Sequence, residues 1–412
     1  MQNKFVKQTT YFLRKPFHLF VFLLGCLLLC PLDALADKSQ IRAQRKSQHH
    51  YHDNHHKRKP VLKGRLMWDL NRYGAFYSKQ ADGSTISSEI RRAELAFSQK
   101  TKNHWSAKLE FGFESNENEV EVNDAYAKYR GWKWAKVTIG KSKEPFGFEE
   151  LSSTSDIPTL ERSMVSSAFA PGRSLGVTFD INSLDKVLPR SSLAIGLFQA
   201  ENDDDYDHQP PVAITTRLTY APLKNDRQIL HLGLAGSWRD WDENAFQFKE
   251  QGELNTADNM ILSAILTADS QQLKGVEAAW QYQSFNIQAE YMASSVDQVD
   301  GETWLYDGYY VQAGYLLTGE KHQYKKGKFS AIKPAAESGA WELVFRHSLL
   351  DLRDNNLGAE ASVNLLGVNY YASNQIRIMF NYLNPSISGY SLHSNTDGDA
   401  ISLRFLYLFQ VR

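Results

Sequence analysis

The sequence predicts an all-β fold, a transmembrane antiparallel β-barrel of about sixteen strands, and three observations carry that expectation. Short stretches of alternating character recur from residue 62 to the end of the chain. Trp105-Ser106-Ala107-Lys108-Leu109-Glu110-Phe111-Gly112-Phe113 is the plainest. Its odd positions are apolar and its even ones polar or small, the period of a strand with one oily and one wet face. The only helix-sized apolar run lies within the first thirty residues. Beyond it nothing approaches the roughly 18 apolar residues of a spanning helix, so a membrane crossing requires a closed barrel whose strand edges are all paired.

Residues 1–36 read as an export signal. Lys4, Lys7, Arg14 and Lys15 form a positive start, Phe17 to Cys30 an apolar core, and Ala34-Leu35-Ala36 a small-x-small cleavage site. Leu23-Leu24-Gly25-Cys26 is a rival, an acylation box. Cleavage after Ala36 removes Cys26 and Cys30, both cysteines of the chain, and leaves no disulfide chemistry. Four basic side chains and one acid leave with it, so the formal net charge moves from −1 to −4. A mildly acidic chain argues against a nucleic-acid partner. Residues 37–60 follow as a flexible arm, with His49, His50, His52, His55 and His56 among lysines and arginines and little to bury. Metal bound there would be adventitious, and no metal site or cofactor is expected in the barrel.

The barrel is expected over residues 61–412. Alternation places strands near 62–78, 89–99, 104–114, 121–130, 134–141, 174–181, 190–199, 212–220 and 229–238. Further strands follow near 274–283, 285–293, 308–317, 340–348, 363–372, 375–383 and 400–411. Sixteen is even, as a barrel with both ends in the periplasm requires. Met260 to Leu266 is assigned to an outer loop. Short inner turns then alternate with long outer loops at 142–173, 200–211, 239–273, 294–307 and 384–399, the asymmetry of outer-membrane barrels. The link Thr318 to Gly339 is the exception, long and on the periplasmic side.

The period of two also sets facing. Leu193, Ile195, Leu197, Ile376, Ile378, Phe380, Tyr382, Ile401, Leu403, Phe405, Tyr407 and Phe409 look to lipid. Arg65, Arg92, Lys108, Glu110, Lys128, Arg217, Glu277, Glu290, Glu342, Arg346, Arg377 and Arg404 look inward. A lumen lined by both charge signs implies water and a pore. Trp105, Trp238, Trp280, Tyr291 and Trp341 suit interfacial girdles beside outer-membrane lipid and lipopolysaccharide. The scattered histidines of the barrel have no nucleophile motif beside them, so no enzyme is expected.

Several motifs, taken in order, make the chain resemble the phosphate-selective porin O/P family. They include Gly64-Arg65-Leu66, Arg91-Arg92, Lys143-Glu144-Pro145-Phe146-Gly147, Leu160-Glu161-Arg162-Ser163 and Phe169-Ala170-Pro171-Gly172-Arg173. Later come Leu316-Leu317-Thr318-Gly319-Glu320, Ile332-Lys333-Pro334, Gly339-Ala340-Trp341-Glu342-Leu343 and Leu366-Gly367-Val368-Asn369-Tyr370-Tyr371. The resemblance implies a homotrimeric sixteen-stranded barrel of a Gram-negative outer membrane, inserted by the barrel-assembly machinery. It implies that loop 142–173 folds inward as a constriction, with Arg162, Arg65, Arg91 and Arg92 on an anion path. Lys321, Lys325, Lys326, Lys328 and Lys333 match a lysine-rich periplasmic region. Lys143 and Arg173 are further candidates for solute contact, and Glu149 or Glu150 would face Arg162 and Arg92 across the opening.

The departures point away from phosphate. Phosphate-binding members resemble this chain around Phe148-Glu149-Glu150 but carry a lysine at the position of Glu150, and an aspartate near Asn123. The loop that supplies their arginines is residues 239–259 here, and after Arg239 it holds only acids among its charged groups apart from Lys249. The expected function is therefore a passive water-filled channel for small hydrophilic solutes or anions, less selective than its phosphate-binding kin. The alternative is an occluded barrel that binds a partner or serves as structure.

Overall fold

The computed structural model describes residues 60–77, 85–113, 120–181, 184–199, 211–325, 327–330, 332–389 and 398–411. The expected export signal, almost all of the expected His-rich arm, Lys326 and the acidic triplet Asp203-Asp204-Asp205 lie outside them.

Alternating stretches become β1 (Val61–Tyr73), β2 (Thr85–Lys100), β3 (Trp105–Phe113), β4 (Val120–Tyr129), β5 (Ala135–Lys143), β6 (Arg173–Ile181), β7 (Ser191–Gln199), β8 (Val212–Lys224) and β9 (Gln228–Phe246). A two-stranded hairpin, β10 (Lys249–Glu250) and β11 (Ile261–Leu262), interrupts the series before β12 (Leu266–Tyr282), β13 (Phe285–Gln298) and β14 (Thr303–Leu316). A second hairpin, β15 (Gln323–Tyr324) and β16 (Phe329–Ser330), precedes β17 (Ala340–Asp351), β18 (Ala359–Tyr371), β19 (Ile376–Gly389) and β20 (Ala400–Val411). Leaving out the two hairpins, these strands pair in chain order and close on themselves as a sixteen-stranded antiparallel barrel. The seam joins β1 to β20 from Leu62 opposite Val411 to Tyr73 opposite Ala400.

Strand number and order match the alternation, but several lengths differ. β12 begins at Leu266 and β9 runs to Phe246, because the pairing continues where the sequence turns polar on both faces. The first strand stops at Tyr73, and a 3-10 turn over Ala75–Tyr77 buries Phe76 and Tyr77 inside the barrel. Facing follows the period of two. On β1, Leu66, Trp68 and Leu70 are exposed on the outside while Met67, Asp69 and Asn71 are buried within.

Half of the interior is packed solid. Along β12 to β20 the inner wall presents Leu273, Met292, Trp304, Tyr306, Tyr310, Leu350 and Leu365. The outer segment 144–172 folds in against them, carrying α1 (Phe148–Leu151) and α2 (Met164–Phe169). So does segment 247–265, with Phe248, Leu254, Met260 and Ile261 in the same apolar cluster. Met260 to Ile265 is thus outside the barrel wall, as expected, yet much of it is buried within the barrel, whereas Leu266 opens β12 and belongs to the wall. At the end with the short turns, periplasmic in barrels of this kind, the link 318–339 also turns inward and sets Phe329 against Phe148, ring centroids 5.6 Å apart.

Candidate functional site

The other half of the interior is hollow. A cavity of about 960 Å³ lies between the infolded segment and the inner faces of β1 to β8, and reaches the periplasmic rim at Lys63, Asn374 and Gln410. Its walls carry eleven cationic side chains: Lys63, Arg65, Arg92, Lys108, Lys128, Lys136, Lys143, Arg162, Arg173, Arg217 and Lys328. Five carboxylates accompany them: Glu94, Glu110, Asp124, Asp156 and Asp180. That excess of six positive charges attracts anions by field and local concentration.

Local irregularities in the strands decide who faces the cavity. Along β1 and β2, Met67 pairs with Arg92 and Trp68 with Ile90, so Arg91 is the extra residue of a β-bulge. The bulge resets the alternation and brings both Arg91 and Arg92 to the inner face. Strict alternation would have aimed Arg91 at lipid. A second bulge between β3 and β4 leaves Asn123 as the extra residue beside Asp124, which pairs with Glu110.

The narrow region is a web of charge pairs. Glu150, only 7 % exposed, lies between Lys143 Nζ at 2.8 Å and Arg162 Nε at 3.0 Å. Burial alone would raise its pKa, but the Arg162 and Lys143 charges outweigh that and hold the carboxyl down at about 2. On the facing wall Arg173 Nε donates to Asp124 Oδ1 at 3.0 Å, and Lys108 Nζ meets Asp124 at 2.6 Å and Glu110 at 2.8 Å. Arg65 pairs with Glu94 and donates to Ser153 Oγ at 3.1 Å. Arg92 sits 3.8 Å from the same Glu94. Asp156, on the tip of the infolded segment, has its pKa raised by burial against the opposing pull of Lys328, Arg377 and Arg65.

Three sequence candidates are not among the cavity-lining residues, and the first is Glu150, paired with Lys143 and Arg162. Glu149 is buried and bonded to Arg346 Nη2 at 2.7 Å, where it anchors the infolded segment instead of facing solute. Arg91 points inward but pairs with Glu161 at 2.9 Å, under the segment. Arg404 holds the same Glu161 together with Asp69. The periplasmic lysines are also dispersed. Lys328 lines the cavity and donates to the Leu151 carbonyl at 2.5 Å, whereas Lys321, Lys325 and Lys333 are exposed. Lys321 caps the Asp226 carbonyl at 2.7 Å. Lys63, Lys136 and Asp180 line the cavity without having been singled out. For Lys136 the signal was present, since Val137 and Ile139 face outward and put their neighbours inside.

The sequence matches the family model described as Phosphate-selective porin O and P over residues 61–409. The chain belongs to that family. Porin O of Pseudomonas aeruginosa is 26% identical over 389 residues, 84% of this chain and 88% of that protein. An uncharacterised protein of Caulobacter vibrioides is 25% identical over 334 residues, 78% of this chain and 67% of its own length. Among solved structures, an anion-selective porin from Comamonas acidovorans superposes with a TM-score of 0.54 at 11% identity, covering 85% of this chain and 100% of that one. OmpF of Salmonella typhi, in complex with daunomycin, gives 0.56 at 14% identity and covers 86% and 98%. At such identities the likeness is one of fold. Family and fold together make this protein an outer-membrane porin of a Gram-negative bacterium, a passive channel, and the family's members are channels rather than enzymes.

Proposed function

We propose that this porin passes small hydrophilic solutes with a preference for anions and holds no tight phosphate site at its constriction. One observation carries both halves: eleven cations against five carboxylates line the cavity, while Glu150 occupies the pair Lys143 and Arg162. A cation bonded to an internal carboxylate contributes to the field but has little left to bind a phosphate. The route runs past Arg173, Lys143 and Arg162 to Arg92 and Arg65, and then to Lys108, Lys128 and Lys136 at the periplasmic side. Assembly as a homotrimer and insertion by the barrel-assembly machinery, in contact with lipid and lipopolysaccharide, complete the reading by family likeness.

Single-channel recording in a planar bilayer tests it. A potassium chloride gradient should give an anionic reversal potential, and added phosphate should leave the chloride current nearly unblocked. Strong block by phosphate at low concentration overturns the second half, and a cationic reversal potential overturns the first. The packed apolar half of the interior favours one other reading, a barrel occluded by its own loops, for which purified protein would give no conductance.

A further inference from the structure

We propose that Arg346 is the positioning residue of this channel: one buried guanidinium on the wall holds both infolded outer segments, and so fixes the bore and the placement of Glu150 and Arg162. Arg346 lies on the inner face of β17, fully buried. Its Nη2 donates to Glu149 Oε1 at 2.7 Å and to Thr159 Oγ1, both on the first segment. Its Nη1 donates to the Glu161 carbonyl at 3.1 Å, and to Glu253 Oε2 at 3.0 Å on the second segment. Nε turns to Gln312 Oε1 on the neighbouring strand at 3.1 Å. All five N–H groups of the fork are used.

The contacts continue from there to the pore. Glu149 precedes Glu150, and its second oxygen accepts from the Ser163 N–H at 2.9 Å and from Ser163 Oγ at 2.8 Å. Ser163 follows Arg162. The guanidinium therefore holds the neighbours of both members of the Glu150–Arg162 pair, which are twelve positions apart in the chain. On the other side Glu253 accepts from the Met164 N–H at 3.3 Å and from Ser348 Oγ, and stitches the second segment to the start of α2. Glu253 has a φ of 65°, unusual for a residue with a side chain. Such a conformation persists only where its surroundings hold it. Glu149 and Glu253 lie 197 and 93 residues from Arg346 in sequence.

Variants in the full-length barrel, with folding checked by heat-modifiable gel mobility, decide the matter. Arg346→Met should give barrels that conduct with a roughly twofold larger and noisier current, since pore geometry sets conductance, and with a shifted reversal potential. Arg346→Lys, which keeps the charge but not the fork, should fall between. Folded Arg346→Met barrels with wild-type current, noise and reversal potential overturn the proposal. Should that variant fail to assemble, Glu253→Gln decides, because it leaves Arg346 and Glu149 in place. Added current noise is expected there, and a quiet wild-type current overturns the proposal. In that background, cysteines at Ser87 and Thr256, whose hydroxyls are 3.0 Å apart, should restore the quiet current once oxidised. The inference rests on the channel reading. A wild-type barrel that never conducts overturns both, whereas a conducting wild type with indifferent variants overturns this one alone.

Discussion

Residue by residue, the constriction is a problem of which charges are already committed. Glu150 satisfies Lys143 and Arg162 at 2.8 and 3.0 Å, and with its pKa held at about 2 it stays ionised at neutral and mildly acidic pH. Replacing it by lysine removes that partner and adds a third cation. Unit charges 4 Å apart exchange about 4 kcal/mol at an effective dielectric of 20, so even a heavily screened change is visible in a current. Glu150→Lys should raise the anion-to-cation permeability ratio severalfold and bring on phosphate block, and an unchanged reversal potential would remove Glu150 from the pore. Asp156 titrates differently. Its pKa is raised, so it is the first cavity carboxylate outside the strands to lose its charge as pH falls, whereas Glu150 keeps its own until about pH 2. The anion preference should therefore grow on going from pH 7 towards pH 4. In Asp156→Asn that growth should shrink, and its persistence at full size would assign the effect to another group.

At the scale of elements, legibility followed periodicity. β3, with nine residues alternating from Trp105 to Phe113, could hardly be misread. The bulge that brings Arg91 inside leaves no mark in the sequence, because a bulge depends on the partner strand's register. Segment 247–265 was also opaque. Its apolar members Phe248, Leu254 and Met260 follow no strand or helix period, and they are buried by long-range packing against Tyr306 and Phe169. Arg346 was legible as an inward charge, but its role was not, since its carboxylate partners come from two distant loops. The second segment holds a titratable group of its own. Glu250, on β10, is pushed up to about 8, first by burial and then by the negative charge of Glu253. A carboxyl raised in the folded state favours its protonated form there, so its contribution is fully present below its ordinary pKa and is lost as pH rises through about 8. Hydrogen exchange across 247–265 should quicken between pH 6 and pH 9 beyond the intrinsic rate. Glu250→Gln should flatten that excess, and an excess that survives the substitution would place its origin elsewhere.

For the whole molecule the decisive event is closure, because an open sheet edge cannot persist in lipid. The match to the family model ends at the aromatic Phe409, and beyond it Gln410 and Val411 pair with Lys63 and Leu62 and lengthen the seam. Phe409 stands opposite Gly64 on β1. A Cβ added at Gly64 would fall 2.0 Å from Phe409 Cε1, so the ring lies directly over the glycine. The arrangement couples two features from opposite ends of the barrel's sequence: the Gly64-Arg65-Leu66 motif leaves a gap on the outer face, and the last aromatic fills it. The strand pairing that closes the barrel therefore depends on a side chain that is absent. Gly64→Leu should displace the Phe409 ring and disfavour the first rungs of the seam, lowering the yield of heat-modifiable barrel on refolding into lipid vesicles. The companion change Phe409→Ala, made in the same chain, should recover part of that yield by vacating the space. Equal yields for Gly64→Leu and wild type would mean that the ring swings aside without cost and that closure is governed by the backbone ladder from Leu62 to Tyr73 alone.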